Sequence, residues 1–435
     1  MGYHSLLDPA AVLVVTSIVV SFTPANSLWR IACLPLLGTL TWHCVVNCPI
    51  YIARSAWASA VGGYTISSFL HYLDVAVLSG WCFDAGGPSR DPVKMARVAV
   101  ATDSLNSKNL NLRGSAGRKS QTRSPRVSSI FDRFKFGLAV FFSWRFVNTS
   151  HQARNLSQLD PKLRTSRTRF LVHTAFTILV CYLLLDIMDS SSDAEVSAKF
   201  YTRHKVSFFS RISKVSLEEL FMRLFAAPGL CKGLVPFQRG VCSIAAFLCV
   251  AARLSYPGDW PPFNGPLTET YNLRCFWSGW HHSSTFWHQT NTHRLNAMSS
   301  FLLHDVLRLP RGTKPVRYLR IWMIFLISGL MHVAIDFASG IPLGSSGAMK
   351  FFSIQPLGVA IEDTFLSIYR YMLPQSTAHQ PARLWQRCVG WVWLGLWMAW
   401  TAPAYLYPVM PQEGSEENGG VVPVSVLGYF KGIMG

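Results

Sequence analysis

An all-α fold, a polytopic integral membrane helical bundle of about seven to nine transmembrane helices, is what this 435-residue sequence predicts. Three observations predict it. Half of the residues are hydrophobic, with 15 Trp and 28 Phe, and only 14% are charged, against roughly 25% in an ordinary soluble chain. The mean hydropathy is +0.24. Apolar runs recur near the ~20 residues that a bilayer requires. The basic residues behind the net charge of +18 sit in loops beside those runs, which suits anionic lipid headgroups better than nucleic acid. The ten cysteines include no CxxC pair and no metal spacing, so neither a disulfide framework nor a cysteine metal site is implied.

The runs fall, in order, at 10–24, 28–50, 57–81, 170–188, 240–256, 320–338, 350–372 and 385–407. The first is a membrane segment rather than a leader, because no basic region precedes it and no cleavage site follows. Pro35 and Pro49 are expected to kink or end the second. Residues 1–81 thus form an N-terminal group of transmembrane helices. Residues 82–129, rich in Arg, Lys, Ser and Gly, read as a disordered loop on the cytosolic side. Residues 130–435 form the remaining core, with its motifs in 257–338. Ile130–Asn148 interrupts its apolar residues with Asp132, Arg133, Lys135 and Arg145, which fits an interfacial or half-inserted helix. Ser216–Phe225 reads as a capped amphipathic helix on a surface, and the fifth run as a short span behind it. Counting spans from a cytosolic 82–129 puts 257–319 in the cytosol as well. Asn148-Thr-Ser and Asn155-Leu-Ser then face the cytosol and escape glycosylation. The tryptophans of 391–400 read as an interfacial belt and packing, and His43, His71 and His173 as histidines satisfied by neighbours.

The polar chemistry is concentrated in one loop and one helix. Phe325–Asp336 (FLISGLMHVAID) places His332 inside an apolar run, where an ionisable group is usually functional. Upstream, Phe286–Arg294 (FWHQTNTHR) gathers His288, Gln289, Asn291, His293 and Arg294 around Trp277 and Trp287. Arg308, Arg311, Lys314, Arg317 and Arg320 follow and could meet the phosphates of a nucleotide-like cofactor. His281, His282, His288 and His293 lack a carboxylate or cysteine to complete a metal site. Asp336, one turn from His332, either orients its ring or is a helix-end carboxylate at the interface, the second reading being slightly favoured. A transporter would carry charges in several spans and half-helices in two repeats; neither pattern is present.

The run of WPP-F-x-G-P-L, Leu273-Arg-x-Phe-Trp277, FWHQ and SGLMH, in that order, resembles the membrane-bound O-acyltransferases. The match looks strongest to the wax-synthase-type branch found in fungal secondary metabolism, over about 257–338, and is fainter in 133–146. The resemblance implies an endoplasmic-reticulum membrane enzyme that moves an acyl group, usually acetyl in the terpenoid and meroterpenoid branch, from acyl-CoA to a hydrophobic alcohol. It implies no metal and no bound cofactor, acetyl-CoA being a co-substrate. It places His332 at the family's buried histidine and His288 at the polar partner of the tryptophan motif. Asn291 and His288 are candidate oxyanion donors. Trp277, Trp287, Gln289, Arg294, Arg308 and Arg311 are candidates to hold the CoA. A wax-ester synthase acting on long acyl chains is the alternative. One departure stands out: Ser278–Thr285 (SGWHHSST) separates Phe276-Trp277 from Phe286-Trp287, as a lengthened loop or as retained intron sequence, with the second slightly favoured.

Overall fold

The computed structural model describes residues 6–89, 129–149, 152, 159–190, 194–264, 270–277, 292–372, 382–410 and 420–429. Among them the chain is helical, apart from a two-stranded hairpin of β1 (Trp81–Cys82) and β2 (Gly87–Pro88). Most of the 82–129 loop, the Ser278–Thr285 departure and Asn155 lie outside the described residues.

Three helices begin the bundle: α1 (Leu7–Phe22), α2 (Trp29–Tyr51) and α3 (Ser55–Tyr72). Pro35 does not end α2, which runs on until two residues past Pro49. A buried arginine closes this group. Arg30 donates to the carbonyls of Ala76, Trp81 and Thr23 at 2.8–2.9 Å, and its own carbonyl accepts from the Tyr72 hydroxyl at 2.6 Å. A guanidinium has enough donors to satisfy several carbonyls at once, so the α1–α2 turn is fastened to the end of α3. Two of the three apolar-run histidines have a hydrogen-bond partner, although His71 Nδ1 is buried without one. His43 donates to buried Asp8 at 2.8 Å, and His71 donates to the Val140 carbonyl at 2.9 Å. His173 instead stands exposed.

The interrupted segment forms α4 (Ile130–Phe142), capped by the Ser129 hydroxyl, which accepts from the Phe131 amide. It packs along α1. Just after it, Arg145 donates to the carbonyls of Pro261 and Pro262, both at 3.0 Å. The faint motif of 133–146 is thereby tied to the Trp-Pro-Pro segment.

The next two helices, α5 (Arg167–Ser190) and α6 (Leu217–Ala251), lie against each other. Here the structure corrects the sequence reading. Ser216 does cap a helix, accepting from the Glu219 amide at 3.1 Å. That helix does not lie on a surface as a separate element: it continues through Pro228 and Pro236 into the expected fifth span. Two of its charged residues face inward, while Glu218 is exposed. Glu219 and Arg223 are buried and paired at 3.0 Å, and Arg211 joins them at 3.3 Å. A charge pair that is satisfied internally needs no solvent face, so amphipathic spacing here marks a protein contact.

After the short α7 (Leu273–Trp277) and α8 (Thr292–Ser300) come α9 (Lys314–Ala338), α10 (Ala348–Met372), α11 (Leu384–Thr401) and α12 (Pro403–Val409). Helix α9 is shared between two cores. On one side Phe325 packs with Phe351, Phe352, Leu394 and Trp397 of α10 and α11. On the other, Met331 and Ala338 pack with Cys44, Cys48, Ala58 and Ile66 of α2 and α3. Glycines make both approaches close. A Cβ on Gly62 would sit 2.5 Å from the Ala338 Cβ, and one on Gly329 would sit 2.9 Å from Met349 Sδ and 3.3 Å from the Phe352 Cβ. The N-terminal helices therefore share a core with the motif helix.

Among the described residues, Trp29–Tyr51, Arg167–Ser190, Gly233–Ala251 and Lys314–Ala338 are long and apolar enough to cross a membrane, and Leu7–Phe22 is a shorter apolar helix. Helices also form at the expected spans 57–81, 350–372 and 385–407, but they fall outside that set. For α3 and α10 the physical reason is visible: Thr65, Ser67, Ser68 and His71 of α3, and Gln355 and Glu362 of α10, are polar yet buried against protein.

The last described segment, 420–429, straps the base of the bundle. Its backbone carbonyls accept from Arg54 and Trp57 at the start of α3. Its amides donate to Asp186 and Asp189 near the end of α5, each at 3.0 Å.

Candidate active site

His332 lies near the C-terminal end of α9, half-buried. Its Nδ1 is 2.8 Å from the Ser328 carbonyl one turn earlier. A carbonyl can only accept, so Nδ1 carries a hydrogen, and in the neutral ring Nε2 keeps its lone pair. That tautomer leaves the Nε2 lone pair for a proton. The face of the imidazole meets the Phe352 ring at 4.4 Å between centroids, and the Tyr405 ring stands edge-on at 5.9 Å. Phe351 backs both of these rings, stacking on Tyr405 at 5.7 Å and meeting Phe352 at 5.1 Å. The imidazole thus sits in an aromatic cage contributed by α9, α10 and α12.

Asp336 does not bond the His332 Nδ1, which is held by the Ser328 carbonyl; it lies buried two residues before the end of α9. It accepts from Ser346 Oγ at 2.5 Å and from the Tyr405 hydroxyl at 3.4 Å, while the Ser328 carbonyl orients His332. Its carboxylate fixes Tyr405, and so reaches the histidine only through that ring.

Trp277 ends α7 beside this cage, its ring 5.4 Å from Phe325 and 5.9 Å from Phe352. Its indole N–H donates to Gln355 Oε1 at 3.2 Å, and the same oxygen accepts from Trp397 at 3.0 Å. The Gln355 amide in turn donates to the Phe351 carbonyl at 3.0 Å and to Thr401 at 3.4 Å. Glu362 caps α7, accepting from the Leu273 and Arg274 amides at 2.8 and 3.2 Å. Trp277 is therefore a wall of the cage held by its own protein.

Arg294 is placed differently from its reading as a CoA contact. It is 1% exposed, donates to the Ser67 carbonyl at 2.8 Å, and lies 4.4 Å over the Trp144 ring. Beside it, His293 donates to buried Asp74 at 2.5 Å. Both side chains are engaged with α3, the turn that follows it and the segment after α4, and neither stands out toward solvent-borne phosphate. Arg308 and Arg311 are exposed, as are Lys314 and Arg317 at the start of α9. There His304, Gly312, Thr313, Val316, Arg317 and Arg320 line a cavity of about 190 Å³. His288, Gln289, Asn291 and Trp287, together with His281 and His282, lie outside the described residues.

Sequence reasoning missed Phe352, Tyr405, Gln355 and Glu362. A buried Gln and Glu in an apolar helix were the available signal for the last two, because a polar group at that depth needs a partner.

The class of protein is given by comparison with known proteins. Residues 260–354 match the model of the membrane bound O-acyl transferase family. The chain is 31% identical to the acetyltransferase aurG of Calcarisporium arbuscula, over 95% of each chain. It is 32% identical to the acetyltransferase ataH of Aspergillus terreus, over 68% of this chain and 97% of that one. It is 34% identical to the acetyltransferase TRI7 of Fusarium sporotrichioides, over 43% and 42%. No solved structure matches significantly. The chain belongs to the membrane bound O-acyl transferase family, and it is a membrane acyltransferase.

Proposed function

We propose that this acyltransferase moves an acetyl group from acetyl-CoA to a hydroxyl of a terpenoid or meroterpenoid, with His332 as general base. The observation that carries the proposal is the His332 tautomer: Nδ1 is committed to the Ser328 carbonyl, which leaves the Nε2 lone pair for a proton. Nε2 takes the acceptor's hydroxyl proton as the oxygen attacks the thioester carbon. The C–S bond then breaks, and the imidazolium returns the proton to the CoA thiolate. His288 and Asn291 are proposed donors to the oxyanion. The relatives named as acetyltransferases support acetyl as the acyl group.

Arg308, Arg311, Lys314, Arg317 and Arg320, just before and at the N-terminal end of α9, are proposed to hold the CoA phosphates. Twelve residues of helix separate Arg320 from His332, about 18 Å, and the pantetheine arm can bridge that distance. A soluble donor then arrives at the basic end while a lipid-soluble alcohol enters from the bilayer. The reading places the enzyme in the endoplasmic reticulum, with seven to nine spans about this site. The test is to incubate microsomes carrying the protein with labelled acetyl-CoA or palmitoyl-CoA and a panel of terpenoid and long-chain alcohols. Label on a terpenoid alcohol from acetyl-CoA supports the proposal. Label only from palmitoyl-CoA on long-chain alcohols makes it a wax-ester synthase.

A further inference from the structure

We propose that Phe352 is an acyl-length stop: its ring, backed by Tyr405, Phe351 and Trp277, restricts the donor to two-carbon or similarly short acyl groups. This rests on the reading of His332 as the reacting base and deepens it by naming the residue that selects the donor.

Three observations support it. First, Phe352 lies against the imidazole itself, at 4.4 Å and tilted by 32°, so an acyl group that reaches this face of His332 meets the ring. Second, the ring has nowhere to retreat. It is 3% exposed, with Phe351 at 5.1 Å, Tyr405 at 5.9 Å and Trp277 at 5.9 Å behind and beside it. Those neighbours are themselves held: Trp277 by Gln355, and Tyr405 by Asp336, which also takes Ser346. Third, α9 and α10 meet backbone to side chain at Gly329, where even a methyl group would press on Met349 and Phe352. The two helices thus approach closely at this level. A longer acyl group must displace a ring that is packed on every side, and overpacking of that kind is unfavourable.

Aliphatic selection works in steps of about 10- to 200-fold per methylene in a close-fitting apolar pocket. The test uses full-length protein purified in detergent and measures displacement of labelled acetyl-CoA by butyryl-, hexanoyl- and octanoyl-CoA. The wild type should bind hexanoyl-CoA at least about tenfold more weakly than acetyl-CoA. Phe352→Ala should close that gap by about tenfold or more, and Phe352→Leu, which keeps an apolar filler, should close part of it. Equal affinity of the wild type for acetyl- and hexanoyl-CoA would overturn the proposal. So would a wild-type ratio in both variants. If Phe352→Ala loses acetyl-CoA binding through misfolding, the Phe352→Leu ratio decides. His332→Ala tests the base assignment separately: it should lose turnover. Turnover that survives His332→Ala defeats the base assignment and leaves the chain-length result standing.

Discussion

Replacing Gln355 by methionine tests whether the cage around the histidine is held by hydrogen bonds or by packing alone. Met matches Gln closely in length and volume, so the cavity and transfer terms of a truncation are nearly absent. What is removed is polar. Gln355 is fully buried, and its one carbonyl oxygen accepts from both Trp277 and Trp397 while its amide group donates to Phe351 and Thr401. After the substitution two indole N–H groups lose their acceptor. A buried donor without a partner costs about 1–3 kcal/mol. Trp397 is 5% exposed and bears the full penalty, while Trp277 is half-buried and bears less. Together these give about 2–5 kcal/mol. The assay is thermal inactivation of detergent-solubilised protein, followed by turnover measured below the transition. Gln355→Met should lower the apparent Tm by several degrees. It should also lower kcat, because a loosened Trp277 releases Phe352 and with it the stacking on His332. A variant that melts with the wild type and turns over equally well would show that the Gln355 network is incidental, and the reasoning would fail.

Gly62→Ala should destabilise by about 1–3 kcal/mol through overpacking, because the new methyl meets a backbone-fixed Cβ of Ala338 at 2.5 Å; the check is the same melting assay. Arg294→Lys should reduce stability with little change in acyl-CoA KM, since a lysine cannot keep both the Ser67 bond and the Trp144 stacking; a KM effect with unchanged stability would restore Arg294 to the CoA site. Reversing the charges of Arg308, Arg311, Lys314 and Arg317 together should raise acyl-CoA KM while a C-terminal orientation reporter stays put. A flipped reporter would assign these residues to membrane orientation.

The helical membrane class was legible because it depends on local sequence. His332 is conspicuous as an ionisable residue in an apolar run, and no tertiary information is needed to see it. Its partners were not legible. Phe352 and Tyr405 come from other helices, and among 28 Phe and 14 Tyr nothing local distinguishes the ones that reach the imidazole. Arg294 misled for the opposite reason: a cation in a polar stretch reads as available, yet folding places it beneath Trp144 and against α3. Ser216–Phe225 carried a correct cap and a correct period, but periodicity states only that one face differs from the other. Whether the polar face meets water or Arg211 is settled by tertiary contacts. Pro228 and Pro236 are apparent helix breakers that a long packed helix nevertheless accommodates.

The most direct measurement is acyl transfer by purified His332→Ala, with expression and membrane insertion verified alongside. Loss of the general base should reduce turnover by about 10²–10⁴-fold or more, with the helix bundle intact because the Ser328 carbonyl remains an acceptor within the α9 backbone. Turnover within a few-fold of wild type would contradict the account, for it would mean that the histidine enclosed by Phe352 and Tyr405 takes no proton from the acceptor hydroxyl.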